Sequence, residues 1–229
     1  MNKFFQRCSG ILVMALLSSC DAFESVYTTS CVAVISECDW YSVQRTMNIE
    51  DGDNIWPSYQ IAPHETRVVS VFNAKGEDKK WFNSVCEKYG DTGYNRTIQL
   101  HISEYRNAFI PSITSIDVTS NKDFDSQHPA GTSLAEYFNV SFMNNINYIR
   151  SGYDPNLPEG MGGVMSEINP EEMLFTGSIG FTLKKYPEEL SVYKFFLDIK
   201  NEEGQEFHCP FYCDFERIEV IGSSSWQDL

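Results

Sequence analysis

The strongest constraint on the fold is the recurrence of apolar residues at every second position near the C-terminus. Residues 193–199 and 207–215 both show this pattern, and a polar segment containing glycine, 201–205, separates them. Because successive side chains of a strand point to opposite faces, each stretch presents one apolar face. The pattern predicts two antiparallel strands joined in a hairpin, with the apolar face turned to a core.

Short strands and few helices are expected in the rest of the chain. Alternating or continuous apolar runs predict strands at 46–49, 58–61, 68–72, 97–103, 116–118 and 179–183. Helical spacing of apolar residues predicts one amphipathic helix at 77–89. Brief helices are expected after a capping box of Ser133 with Glu136 and after the Asn169-Pro170 pair. Residues 154–166, rich in proline and glycine, predict a long exposed loop.

These elements together indicate a mainly β fold. The expected architecture is an antiparallel β-sandwich, immunoglobulin-like or related, with two or three short helices. One β-rich domain is expected to span residues 26–222, and residues 223–229 form a C-terminal tail. The apolar faces are expected to share a single core, which includes Ile98, Leu100, Phe181, Phe195, Leu197, Phe207 and Phe211.

The composition excludes one class of partner. The chain has 229 residues, 42% of them hydrophobic, so it can bury a substantial core. Its 17 basic and 32 acidic side chains give a formal net charge of -15. This charge repels phosphate backbones, so nucleic acid is not expected as a partner.

The N-terminus has the pattern of a secretory signal peptide. A basic start and an apolar run at 11–17 precede Leu17-Ser18-Ser19-Cys20. The run is shorter than the roughly 20 residues that a helix needs to cross a bilayer. Leu17-Ser18-Ser19-Cys20 resembles the lipobox of bacterial lipoproteins. The resemblance implies cleavage before Cys20, with residues 1–19 as signal peptide and 20–25 as a lipidated tether.

In the lipoprotein family, that cysteine receives acyl chains, and several chains together anchor a protein durably. The resemblance therefore implies attachment to the membrane through Cys20. It places the protein in the bacterial cell envelope, lipid-anchored at the outer membrane, on the periplasmic or the surface-exposed face.

The remaining cysteines do not suggest a metal centre. Cleavage and acylation would leave five, an odd number whose pairing is left open: Cys31, Cys38, Cys86, Cys209 and Cys213. His208 lies next to Cys209, but the strand alternation points it away from Cys209 and Cys213. No metal site, cofactor or catalytic residue is therefore assigned from the sequence.

Two tryptophans are candidate ligand-binding residues. Trp40 and Trp56 lie beside polar or turn residues rather than inside the regular apolar patterns. Exposed indole rings stack on the apolar faces of sugar rings. Burial in an aromatic-rich core is the alternative interpretation of the same residues.

A second resemblance concerns the middle of the chain. The sequences IDVTSN at 116–121, DFD at 123–125 and HPAGTSL at 128–134 resemble a segment of uncharacterised lipoproteins from gut Bacteroidota, and residues 193–207 are similar to their closing hairpin. The resemblance carries no activity with it. We therefore expect a non-enzymatic binding or assembly module whose ligand is a polysaccharide or an outer-membrane partner protein. The alternative is a secreted hydrolase that uses a carboxylate pair or Cys86.

Overall fold

A computed structural model describes residues 25–46, 48–51, 54–99 and 106–217. The strands in these ranges are β1 (Ser25–Thr28), β2 (Val32–Arg45), β3 (Ile49–Asp51), β4 (Asn54–Trp56), β5 (Ser58–Ser70), β6 (Arg96–Gln99), β7 (Arg106–Ile110), β8 (Ile113–Ser120), β9 (Phe138–Met143), β10 (Gly160–Val164), β11 (Ile179–Leu183), β12 (Val192–Asn201) and β13 (Glu206–Asp214). The α-helices are α1 (Gly76–Lys88) and α2 (Asn145–Arg150). Short 3-10 helices span Ala135–Tyr137, Met165–Glu167 and Pro170–Met173, and helical residues 215–217 follow β13.

Two sheets form the body of the fold. A six-stranded sheet has the order β10-β9-β11-β5-β2-β7, and a three-stranded sheet has the order β13-β12-β8. The pairs are antiparallel except β2 with β7, which is parallel. Two-stranded sheets β1-β6 and β3-β4 complete the described strands. The predicted mainly β class is confirmed.

The main core lies between the two large sheets. The predicted hairpin is present as β12 and β13, with Phe195 opposite Phe211 and Leu197 opposite Cys209. Phe195 and Leu197 are fully buried, and the Phe195 and Phe211 rings stack with centroids 5.3 Å apart. Phe181 from the six-stranded sheet packs against Phe211 from the other side. The period-two alternation therefore identified the apolar face of this hairpin correctly.

A second core lies under α1, apart from the core that the apolar faces of β8, β11 and β12 share as expected. Phe82 and Val85 of the helix pack on Val32, Ile35 and Val69 at the opposite face of the six-stranded sheet. The change of face arises at bulges in the β2-β5 pair around Cys38, after which the buried residues of β2 turn toward the three-stranded sheet.

The outcome differs for two of the residues that were expected in the core, Ile98 and Leu100. Ile98 is only half-buried, in the small β1-β6 sheet. Leu100 lies outside the described residues.

Some of the other local predictions are confirmed, and others are wrong. The helix predicted at 77–89 is confirmed as α1, and Asn169 caps the turn at Pro170–Met173 by accepting a hydrogen bond from the Glu171 amide. The capping box of Ser133 with Glu136 does not form, because the Ser133 hydroxyl accepts from the Ala135 amide at 3.3 Å and the Glu136 carboxylate lies 2.6 Å from His128 Nε2. The loop predicted at 154–166 contains β10, since pairing with β9 holds its glycines in an extended conformation.

Candidate functional site

The outer face of the six-stranded sheet, meaning the face turned away from the three-stranded sheet, carries a row of small and polar residues. Gln44 lies opposite Gln60, and Gln60 lies opposite Gly180. Gly180 lies opposite Ser141, which lies opposite Gly162. Directly opposed residues share one face of a sheet, so the row crosses five strands over about 19 Å.

Part of this row forms a depression that we call the polar trough. Its volume is about 360 Å³, within the roughly 300–1,000 Å³ range of small-molecule sites. The residues that line it are Thr46, Ser58, Tyr59, Gln60, Ser141, Phe142, Met143, Glu159, Gly160, Met161, Ser178 and Gly180. The Gln60 amide and the hydroxyl groups of serine and threonine residues share this lining with apolar surface, and two of the lining residues are glycines, Gly160 and Gly180.

Two glycines keep the row flat at the trough. A Cβ atom on Gly162 would lie 2.4 Å from the Val140 carbonyl oxygen, which is closer than real Cβ contacts. A Cβ atom on Gly180 would lie 3.1 Å from the Ser141 hydroxyl. The close approach of neighbouring chains therefore requires glycine at Gly162 and favours it at Gly180.

Trp40 lies on the same outer face, about 13 Å along β2 from Gln44. It lies opposite His64 on β5, and the two rings stack with centroids 5.1 Å apart. His64 Nδ1 in turn lies 2.6 Å from Asp39 Oδ1, which orients the imidazole. Trp40 is 47% exposed, so this stack presents the indole to solvent on the same sheet face as the trough, about 13 Å along the strands from the Gln44–Gln60 pair.

Trp56 is less available than Trp40. Its indole is half-buried and stacks on Tyr186, whose hydroxyl donates to the Ile55 carbonyl at 2.6 Å. The Lys184 ammonium lies 5.4 Å from the ring centroid. Trp56 precedes Ser58 by two residues, and Ser58 is about 20 Å of strand away from His64. The two predicted tryptophans are therefore separated by about 20 Å along β5 and do not form one continuous platform.

A second cluster joins Asp125, His128, Glu136, Tyr137 and Lys185, which we call the His128 network. The two imidazole nitrogens of His128 lie 2.8 Å from Asp125 and 2.6 Å from Glu136. The Lys185 ammonium donates to Asp125 at 2.6 Å and to the Tyr137 hydroxyl at 2.9 Å. Asp125 and Glu136 bind opposite nitrogens of one ring, so they do not converge on a common point. The network joins the 121–137 segment to Lys185.

The charged groups of the His128 network shift one another's pKa values in the direction that favours their charged forms. The Lys185 ammonium, together with His128, holds the pKa of the Asp125 carboxyl well below its usual range. The hydrogen bond to Asp125 raises the pKa of His128 and also raises that of Lys185. These residues were not predicted as a site, and two of them, Asp125 and His128, fall in the segment that carries the Bacteroidota resemblance.

The cysteines are buried thiols without disulfide bonds: Cys31, Cys38, Cys86, Cys209 and Cys213. Burial raises the pKa of the Cys86 thiol, and the carboxylate of Asp91 raises it further. Because the thiolate is the reactive form, Cys86 is poorly suited to nucleophilic catalysis. As the strand alternation predicted, Cys209 and Cys213 face the core while His208 is exposed on the other face.

One carboxylate pair is visible on the exposed face of the three-stranded sheet. Asp117 and Asp198 are cross-strand partners beside a pocket of about 350 Å³. Asp117 accepts hydrogen bonds from the Ser133 hydroxyl and the Val118 amide. Asp198 Oδ1 lies 2.5 Å from His208 Nδ1. Both carboxylates are therefore already engaged with protein groups.

Across the ranges that the structure describes, no three His, Cys, Asp or Glu side chains are placed to hold a metal ion. Within the same ranges, no helix combines the length and apolar character needed to cross a bilayer. Cys20 lies outside the described residues. Comparison with protein-family models, curated proteins and solved structures finds no match to this chain.

Proposed function

We propose that this protein is a lipid-anchored module of the bacterial cell envelope that binds a glycan without chemical conversion. The proposal rests on one observation, the polar trough and the exposed Trp40 indole on a single sheet face, about 13 Å apart along the strands. A flat face is accessible to an extended chain of sugar rings, whereas a single small molecule is usually enclosed in a deeper pocket.

The groups on this face suit sugar chemistry. Gln60 and Gln44 offer amides that both donate and accept hydrogen bonds, and Ser141 offers a hydroxyl. Sugar hydroxyls need the same mixture of donors and acceptors. The Trp40 indole supplies an apolar surface on which the C–H face of a sugar ring can stack.

The negative charge of the protein restricts the class of glycan that it is expected to bind. Glu159 is the charged residue among those that line the trough, and the whole chain carries a formal charge of -15. A polyanionic glycan would be repelled, so the expected ligand is neutral or carries amino groups. Attachment through Cys20 would hold the trough close to envelope polysaccharides.

The test compares single substitutions on the full chain in detergent micelles, using an array of neutral, amino-substituted and acidic polysaccharides. Trp40→Ala and Gln60→Ala are each expected to weaken binding by about 1 kcal/mol, roughly fivefold in Kd. Tyr212→Ala is the matched control, because Tyr212 is 60% exposed but lies on the three-stranded sheet. Binding that survives Trp40→Ala and is lost with Tyr212→Ala would place the site on the other sheet. Absence of binding to every glycan would refute the proposal.

A hydrolase is the second candidate, and the Asp117–Asp198 pair is the observation that favours it. Retaining glycosidases use two carboxyl groups about 5 Å apart, and opposed residues of neighbouring strands lie at comparable spacing. Asp117→Asn and Asp198→Asn would each abolish release of reducing ends if this pair were catalytic. Unchanged polysaccharide length after incubation with the wild-type chain would leave binding as the function.

A further inference from the structure

Strand β10 is an open edge of the six-stranded sheet. It stands last in the sheet order and pairs with β9 along one side. Along its other side, no described strand pairs with it, so alternate backbone N–H and C=O groups face outward there. Its five residues are exposed or half-exposed, in agreement with this position.

The opposite edge of the same sheet is protected. At β7, the Asn145 side-chain amide donates to the Asn107 carbonyl at 2.8 Å. The Phe109 amide donates to the Thr176 carbonyl at 2.9 Å. Segments that come later in the chain thus form hydrogen bonds with the backbone on the free side of β7.

The edges of the three-stranded sheet are also restricted. At β8, the Leu134 and Gly131 amides donate to the carbonyls of Val118 and Ser120. At β13, Pro210 has no N–H group to offer to an added strand. Compared with these edges, β10 is the one least obstructed in the described part of the chain.

The sequence of β10 lacks the features that usually block an edge. It reads GMGGV, without the lysine, other charge or proline that proteins place on edge strands to prevent pairing. Gly160 and Gly162 share the outer face and carry no side chain that could hinder an incoming backbone. The five residues of β10 therefore include no charged or proline side chain that would block an added strand.

Charge around the edge selects among possible occupants. No lysine or arginine occurs between Arg150 and Lys184. The same stretch contains five acidic residues, which are Asp154, Glu159, Glu167, Glu171 and Glu172. Pairing of β10 with a second copy would bring two such acidic segments together, which is unfavourable. A segment with basic residues at its ends complements Glu159 and Glu167, which flank β10.

We propose that β10 binds an extended segment of another polypeptide, flanked by basic residues, which adds to the sheet as a seventh strand. Main-chain hydrogen bonds supply the attraction in this mode of recognition, and the flanking side chains supply selectivity. The site is the free edge of β10, which adjoins the glycan face proposed above and shares Glu159, Gly160 and Met161 with the trough. It gives the envelope module a means of attachment to a protein partner.

The test uses a labelled seven-residue peptide of alternating threonine and valine with lysine at both ends, added to the full chain in detergent micelles. Binding is followed by fluorescence polarisation, and hydrogen exchange is measured at residues 160–164. We expect slower exchange in this segment, and at least tenfold weaker binding by a peptide with alternate backbone nitrogens methylated. Equal binding by the methylated peptide, or unchanged exchange at 160–164, would overturn the proposal.

The second part of the test reverses the charge of the two glutamates that flank β10. Glu159→Lys combined with Glu167→Lys should reverse the preference, so that a glutamate-flanked peptide binds better than the lysine-flanked one. Glu172→Lys is the matched control, because Glu172 is half-exposed and lies outside the edge. Protection of 160–164 before any peptide is added would show that another part of this chain or a second copy occupies the edge. Trp40→Ala should leave peptide binding intact, which separates this site from the glycan site.

Discussion

At the scale of single residues, His128 is the group whose charge matters most for local structure. Both of its ring nitrogens face carboxylates, Asp125 on one side and Glu136 on the other. Both nitrogens can donate only when the imidazole is protonated. The Tyr137 hydroxyl lies 3.1 Å from His128 Nδ1, and the Lys185 ammonium donates a hydrogen bond to Asp125 at 2.6 Å.

We predict that the protein loses stability as the pH rises above about 6.5, the ordinary pKa of histidine. The pKa of His128 is raised in the folded chain, above the value of about 6.5 for a free histidine. The contribution of His128 to the free energy of unfolding is therefore fully present below the pKa of the unfolded chain. It is lost as the pH rises through the pKa of the folded chain. The free energy of unfolding in urea, measured across this range, should fall for the wild type and stay flatter for His128→Gln. Gln127→Ala, at the exposed neighbouring residue, should keep the wild-type slope. Parallel profiles for wild type and His128→Gln would contradict the prediction.

At the scale of elements, β10 shows how pairing overrides local preference. Glycine weakens an isolated strand because it has no side chain to pack and loses much conformational freedom. The partner strand β9 brings Val140 and Phe142 to within contact distance of its backbone. Glycine at Gly162 is therefore required by the neighbouring chain and is not a sign of a loop.

We predict that Gly162→Ala destabilises the protein by about 1–3 kcal/mol, because the added methyl group forces a backbone shift. Gly160→Ala is the matched control, since its nearest neighbour would be the Phe142 carbonyl oxygen at 3.8 Å, an ordinary contact. Thermal unfolding of the two variants should separate them clearly. Equal melting temperatures would show that β10 tolerates a side chain at Gly162 and that the flatness of the row there is not enforced.

At the scale of the whole molecule, the proposed attachment to the membrane would decide which partners the folded part meets. The sequence assigns this role to Cys20, which is expected to become the first residue of the mature chain. A durable anchor requires more than one acyl chain, and the lipoprotein resemblance implies that both the thiol and the new amino group are modified.

We predict that Cys20→Ala abolishes incorporation of an alkyne-labelled fatty acid and shifts the protein from the membrane to the soluble fraction. Cys31→Ala is the control, because Cys31 is buried in the second core and is not expected to be acylated. Equal labelling of the wild type and Cys20→Ala would exclude acylation at the predicted position.

Local patterns were sufficient to predict several parts of the protein. The β12-β13 hairpin follows from period-two alternation, and α1 follows from helical spacing, because both depend on residues close together in the chain. The buried placement of Cys209 and Cys213, with His208 on the opposite face, follows from the same alternation. The lipobox is also a local signal, and the lipidation it predicts awaits the Cys20 experiment.

Only the tertiary structure decided the candidate site and the second core. The trough combines Gln60, Ser141, Gly160 and Gly180, which come from four different strands and meet only through sheet register. The bulges between β2 and β5 reverse which residues of β2 face which core, and no periodicity in the sequence marks them. Register and bulges are set by contacts between distant segments, so the sequence predicted the strands but not the surface that they build together.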